Sequence, residues 1–350
     1  MINIEKRIRD IAKELFEKGK IDLFIGYEAA TLPLKSRPCF IQSKEGAAGS
    51  LNSAGSVSSP VANLVWNSFC SNNLAVFLPK LFETDPRSRQ KDPGLKPKIG
   101  IVAKGCDLRS ITTLIKEKQV PRENIVIIGV PCTGMIDKDK VEALFSGDEI
   151  ISAEEKDGVL TVNTRKGVKR EIKRQDVLQE CCSECRFPLP PPESTDILIE
   201  GKAKEPGPGG YAEVQEFESR TPEERWNYFK QEMSKCIRCN ACRQACPTCW
   251  CTECFADQDD LCWIGVSTEL SDTMIFHLIR IFHQAGRCVG CDACYRACPM
   301  GVDLRTFTRK IVKDADELFD YVPNFNLEDI PPLSTFKEGD SEEFITEPEE

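Results

Sequence analysis

The sequence predicts an α/β domain with a small parallel sheet at its amino end, followed by an all-helical domain. Three observations carry this expectation. Residues 97–134 read as strand, helix, strand, with KPKIGIVA and IVIIGV continuously apolar, as strands covered on both faces are. CIRCNACRQACP at 236–247 returns as CVGCDACYRACP at 288–299, each time directly behind a helical pattern. Between these two parts, PLPPPE (188–193) and GKAKEPGPGG (201–210) interrupt any regular periodicity.

In chain order, residues 3–18 carry Ile4, Ile8, Ile11, Leu15 and Phe16 on one helical stripe, and DLFIGYE (22–28) reads as a strand. SKEGAAGSLNSAGSVSSP (43–60) lacks bulky apolar residues to offset its ordering entropy and is expected to be a mobile loop. PVANLVWNSF (60–69) resumes a helical pattern. The two strands of the 97–134 unit then deliver Cys106 and Cys132 to the carboxyl edge of the sheet, where sites in such sheets lie. EIISAEEKDGVLTVNTRKG (149–167) alternates and turns at Asp157-Gly158, which predicts a β-hairpin. TPEERWNYFKQEMSK (221–235) opens with a Thr cap, a first-turn Pro and a Glu three residues on, the signature of a helix start. STELSDTMIFHLIRIFHQAG (267–286) and DLRTFTRKIVKDADELF (303–319) complete a repeat of helix plus cysteine loop. The expected domains are residues 1–200, a linker at 201–220, a helical domain at 221–325 and an acidic tail at 326–350.

A chain of 350 residues, 41% hydrophobic, needs no covalent staples to fold, so its 19 cysteines require another reason. Residues 1–20 show no export signal, which points to a reducing cytoplasm and against disulfides. No apolar run approaches the roughly 18 residues of a membrane span, so any link to a membrane goes through a partner. The formal charge is −10, but residues 338–350 hold seven acidic and no basic residues, leaving −10 − (−7) = −3 for the rest. A nearly neutral body argues against a nucleic-acid-binding face. No GxGxxG behind a strand, Walker A loop, nucleophile elbow or HExxH is present.

Two complete CxxCxxCxxxCP units match the pattern that holds a pair of 4Fe-4S clusters, in which the cysteine before proline serves the other cluster. On that logic Cys236, Cys239, Cys242 and Cys298 hold one cluster, and Cys288, Cys291, Cys294 and Cys246 the other. Lys235, Arg238, Arg243, Arg287 and Arg296 lie where they could offset the clusters' negative charge. The competing reading is a pair of structural zinc sites in a zinc-stabilised interaction protein. The 41 residues between Cys246 and Cys288 exceed the spacer of small bacterial ferredoxins, and the domain resembles the α-helical ferredoxins of heterodisulfide reductase and fumarate reductase subunits. Among the other thiols, CWCTEC (249–254) could ligate a further cluster or zinc with Cys262, or be inert. Cys39, Cys70 and Cys262 are expected in the core, and His277 and His283, six apart, as packing residues, His283 near a cluster.

Cys106, Cys132 and the pair Cys182 and Cys185 could close a third 4Fe-4S site at the sheet edge or be buried inert thiols; spacing leaves both open. AKGCDLRSITTLIKEKQVPRENIVIIGVPCTG, followed by CxxCRxP, resembles the β-subunit family of coenzyme F420-dependent hydrogenases and formate dehydrogenases, over about residues 20–200. The resemblance implies a cluster on Cys106, Cys132, Cys182 and Cys185 and a role in electron input. Family members that bind FAD carry a glycine-rich segment leading into a helix, and SKEGAAGSLNSAG offers no clear match, so no FAD-binding residue is assigned. The expected function is an iron–sulfur electron-transfer subunit of a cytoplasmic complex of the formate dehydrogenase, hydrogenase or heterodisulfide-reductase kind. The alternative is a flavin-containing oxidoreductase exchanging hydride with F420 or NAD(P) and feeding the clusters.

Overall fold

The computed structural model describes residues 3–43, 60–83, 96–258, 260, 262 and 264–332. Residues 44–59 of the loop expected at 43–60, and residues 333–350 of the acidic tail, lie outside them. Helix α1 (Ile4–Glu17) begins at Asn3, whose side chain accepts the Lys6 amide at 3.0 Å, and it buries Ile8, Ile11, Ala12 and Leu15 along the predicted stripe. Strand β1 (Leu23–Ala29) follows, and β2 (Ser36–Gln42) returns beside it antiparallel. The stretch 60–69, expected to be helical, is instead one 3-10 turn at Val61–Asn63 and then irregular chain. Its amides find partners elsewhere, Val65 on the Tyr27 carbonyl at 2.8 Å and Trp66 on the Glu5 carboxylate at 3.2 Å. Helix α2 (Leu78–Phe82) is little more than one turn.

Strand β3 (Ile99–Ala103), helix α3 (Gly105–Lys116) and strand β4 (Ile125–Gly129) form the expected unit. β3 lies between β1 and β4, parallel to both, with Ile25 opposite Ile101 and Ile101 opposite Ile127. Helix α4 (Lys138–Ala143) leads to a separate antiparallel sheet of β5 (Ile150–Lys156), β6 (Val159–Thr164) and β7 (Lys169–Lys173). Asp157 and Gly158 have φ of 52° and 79°, the two left-handed residues that a tight hairpin turn needs. After the short α5 (Glu180–Ser183), β8 (Ile197–Leu198) adds to the main sheet in the order β2-β1-β3-β4-β8. Phe24, Ile25, Ile99, Ile101, Leu108, Ile111 and Leu114 fill the space under this sheet, each contributing about 1.5–3 kcal/mol by leaving water.

The rest is helical: α6 (Ala212–Glu218), α7 (Pro222–Ser234), α8 (Ala241–Ala245), α9 (Leu270–Phe282), α10 (Ala293–Arg296) and α11 (Leu304–Phe319). α7 starts with the predicted box, in which Thr221 and Glu224 satisfy one another's amides. Phe229, Met233, Phe276, Val302 and Leu304 form a core of their own. The segment expected as a linker contains α6, and its irregular part is tied down. The Lys204 amide donates to the Cys132 carbonyl at 3.1 Å and the Gly207 amide to the Cys185 carbonyl at 2.7 Å. No described helix is long and apolar enough to cross a membrane.

Candidate metal centres

Because β3 and β4 are neighbours, the chain leaving each brings a thiol to the same edge. Cys106 opens α3 and Cys132 lies three residues beyond β4. α5 and the turn behind it lay Cys182 and Cys185 across them, and one cavity is lined by all four. Cys181 and Cys291 stand in its wall as well. Amides point at the sulfurs: Gly134 at Cys132 Sγ (3.3 Å), Met135 at Cys182 Sγ (3.3 Å) and Phe187 at Cys185 Sγ (3.4 Å). Behind the cavity Lys104 is buried against Asp107 at 2.9 Å, the Tyr27 hydroxyl and the Asn72 carbonyl. Burial pushes the Cys106 thiol well up, Asp107 adds to it, and Lys104 works in the opposite direction. At Cys132 burial also raises the thiol, but there Lys104 outweighs Asp107, so the cation favours that thiolate where burial disfavours it.

The two cysteine repeats share a backbone shape. In the first loop Arg238 and Asn240 have φ of 50° and 59°; in the second Gly290 and Asp292, at the same places, have 65° and 53°. Left-handed residues at alternate positions turn successive N–H groups inward, a concavity that receives anions. The Arg238 amide lies 3.3 Å from Cys236 Sγ. Cys236, Cys239, Cys242 and Cys298 line one pocket, the last arriving from the other loop. Conversely Cys246 faces Cys288, Cys291 and Cys294: burial and then Cys246 push Cys288 up to about 12, and burial pushes Cys291 to about 11 with Cys246 adding and Arg296 opposing.

The three groups of thiols have neighbours in common. Cys106 of the sheet edge faces Cys291 of the second loop. Arg109 lies among Cys185, Cys106 and Cys288, and burial lowers its guanidinium to about 10 while those thiols oppose the fall. Arg280 has Cys249, Cys246, Cys294 and Cys242 as its charge neighbours, so thiols of both groups act on it.

Among the described residues, no three His, Cys, Asp or Glu side chains converge tightly enough for one metal ion. A single zinc draws four sulfurs to about 2.3 Å from one centre. An iron–sulfur cube takes its four thiolates on four separate irons, which leaves them ringed around a larger group. At the sheet edge and around Cys236, thiols ringing a pocket, with amides turned toward the sulfurs, fit the cube. Arg280 adds to this fit, since its Nε and Nη1 are buried without a partner.

Several residues do not stand where the sequence suggested. His277, expected in packing, has Nε2 3.3 Å from Cys236 Sγ. Of the five expected cations, Lys235 is paired with Glu232, Arg243 with Asp257 and Arg287 with Glu117; Arg238 donates to the Gly265 carbonyl at 2.6 Å and its charge lowers the Cys236 thiol, and Arg296 reaches Cys181 Sγ at 3.9 Å and the Cys291 carbonyl at 2.8 Å. Lys104, Arg109 and Arg280 were missed; polar residues at helical spacing in the apolar α9 were the available signal for the last. Cys39 and Cys70 are buried, but Cys262 is exposed rather than in the core. Cys249, Cys251 and Cys254 line an open cleft, and His283 meets Phe255 edge-on at 5.7 Å. The glycine-rich stretch considered for FAD falls, after Ser43, outside the described residues.

No protein-family model matches the chain. It is 22% identical over 293 residues to the F420-dependent formate dehydrogenase subunit β of Methanocaldococcus jannaschii, covering 67% of this chain and 76% of that one. It is also 22% identical over 248 residues to the F420-dependent formate dehydrogenase 1 subunit β of Methanococcus maripaludis, covering 54% of this chain and 63% of the relative. A chain of the F420-reducing nickel–iron hydrogenase complex from Methanosarcina barkeri matches with a TM-score of 0.34 and 14% identity over 51% of this chain and 58% of that one, too loosely to carry an argument. By sequence, the chain is a distant relative of the β subunits of F420-dependent formate dehydrogenases.

Proposed function

We propose that the chain is an electron-transfer subunit of an oxidoreductase complex of the formate dehydrogenase or hydrogenase kind, with three 4Fe-4S centres in file. The observation that supports this most directly is the interleaving of thiols. Cys298 stands with Cys236, Cys239 and Cys242, Cys246 with Cys288, Cys291 and Cys294, and Cys106 of the sheet edge faces Cys291. When bound, the clusters supply one-electron chemistry. The protein's own groups hold the thiolates, exclude water and place the fixed charges of Lys104, Arg109 and Arg280 beside them. The order that follows is sheet edge, then the Cys288 centre, then the Cys236 centre, so the middle one is passed by every electron crossing the chain. The relatives are named as β subunits, and by that likeness the partners are the other subunits of such a complex.

The relatives' dependence on F420 favours one extension, in which FAD in the α/β part exchanges hydride with F420 or NAD(P) and feeds the centres. Iron, acid-labile sulfide, zinc and flavin measured on anaerobically purified protein, with EPR after dithionite, test all of this. The expected result is brown protein with roughly 12 iron atoms per chain, falling by about four in Cys132→Ala. Zinc without sulfide sinks the proposal, and bound flavin decides for the extension.

A further inference from the structure

Helix α9 is mostly apolar, yet besides Thr273, which bonds back to its own helix, it and the turn after it bury three polar side chains, His277, Arg280 and Gln284, at 1%, 3% and 2% exposure. Spaced three and four residues apart, they share one face. Each meets a cysteine loop. His277 Nε2 lies 3.3 Å from Cys236 Sγ, and Arg280 Nη2 donates to the Cys242 carbonyl at 3.0 Å. Gln284 reaches Cys249 Sγ at 3.4 Å and Cys246 Sγ at 3.6 Å. The stripe therefore runs along the first repeated loop from Cys236 to Cys246, the thiol read as serving the second centre.

Two features of the stripe call for a ligand the side chains themselves do not supply. Arg280 keeps Nε and Nη1 without an acceptor although it is buried, and its charge neighbours are the thiols of Cys249, outside both groups, then Cys246 and Cys294 in one group and Cys242 in the other. An unpaired buried guanidinium is strongly unfavourable unless negative charge faces it. His277 leaves Nδ1 unpartnered, so Nε2 is the ring nitrogen placed to donate an N–H to a thiolate sulfur.

We propose that His277 and Arg280 set the reduction potentials of the two ferredoxin-type centres, His277 acting on the Cys236 centre alone and Arg280 on both. This rests on the reading that these loops hold 4Fe-4S clusters. Reduction adds one electron, and with it one negative charge, to a cluster; no bond forms or breaks, and neither side chain gains or loses a proton. An N–H donated to a ligating thiolate and a cation held in a poorly screened place both stabilise the more negative state, so each raises the potential. The sheet-edge centre, served by Lys104 and Arg109, lies outside their reach.

The test is an anaerobic redox titration of the full chain, followed by EPR, after iron counting on each variant. His277→Phe should move one of three potentials to a more negative value, and His277→Gln, which keeps a donor, should bring it most of the way back. Arg280→Met should lower two potentials and leave the third, with Arg280→Lys restoring part of the shift. Full iron with unmoved potentials, or an equal shift of all three, overturns the inference while leaving the proposed function standing. Should Arg280→Met fail to hold iron, the His277 pair decides. Wild-type protein without acid-labile sulfide overturns the underlying reading and this inference with it.

Discussion

At the scale of single residues, the sheet-edge site turns on Gly105. It sits between the buried Lys104 and Cys106, where β3 passes into α3, and a Cβ there would lie 1.8 Å from the Phe187 carbonyl oxygen. The clash is with backbone, so it cannot be relieved by a rotamer change. That close approach is what brings the irregular segment of Cys185 over Cys106, and the Phe187 amide in turn points at Cys185 Sγ. Gly105→Ala must push the two segments apart, and overpacking against an unyielding neighbour costs about 3 kcal/mol or more. The expected outcome in urea unfolding is a loss of that size. Alongside it, iron should fall by about four atoms per chain while the two loop centres remain. A variant with wild-type midpoint and full iron would show that the seam is looser than the geometry says.

The same reasoning at the scale of elements explains the paired loops and what could be read of them beforehand. Asn240 and Asp292 occupy the left-handed region at equivalent places, and Asn and Asp tolerate it better than other side chains. Asn240→Val should cost roughly 1–2 kcal/mol and strip one EPR signal, whereas Asn240→Gly should do neither; equal behaviour of the two would exclude the backbone shape as the cause. Spacing alone made three thiols of each loop legible as neighbours, because CxxCxxC fixes them locally. β3 and β4 were legible for a similar reason, since short, continuously apolar β-branched runs have few other fates. β2 was not, because SRPCFIQ mixes Pro and Arg with apolar residues and its edge position depends on a long-range partner. The stretch 60–69 has helical periodicity, but the Tyr27 carbonyl and the Glu5 carboxylate hold its amides in an irregular path. Cys181 and Cys291 in the sheet-edge cavity could not be foreseen either. Their place is set by how the two halves dock, and no local pattern encodes that.

At the scale of the whole molecule, two arginines, Arg109 buried and Arg296 half-buried, contribute to the docking. Arg109 on α3 donates Nε to the Pro323 carbonyl at 2.6 Å and Nη1 to the Val289 carbonyl at 2.8 Å, with its guanidinium 4.2 Å above the Phe187 ring. From the helical half, Arg296 on α10 donates to the Ser71 carbonyl at 2.9 Å and to its own loop at the Cys291 carbonyl at 2.8 Å. These contacts join the α/β and helical halves where Cys106 faces Cys291, so the same residues that hold the halves together hold two thiol groups at their mutual distance. Arg109→Met keeps much of the apolar stem but leaves two buried carbonyls unpaired, at about 1–3 kcal/mol each. Both carbonyls belong to the helical half, so the cost falls on the docking and not on either core. Calorimetry of the anaerobic protein should therefore change from one unfolding transition to two, with the α/β core near its original midpoint and the helical half lower. A uniform downward shift of a single transition would mean that Arg109 supports α3 rather than the junction. An unchanged scan would mean that Arg296 and the apolar seam hold the halves without it.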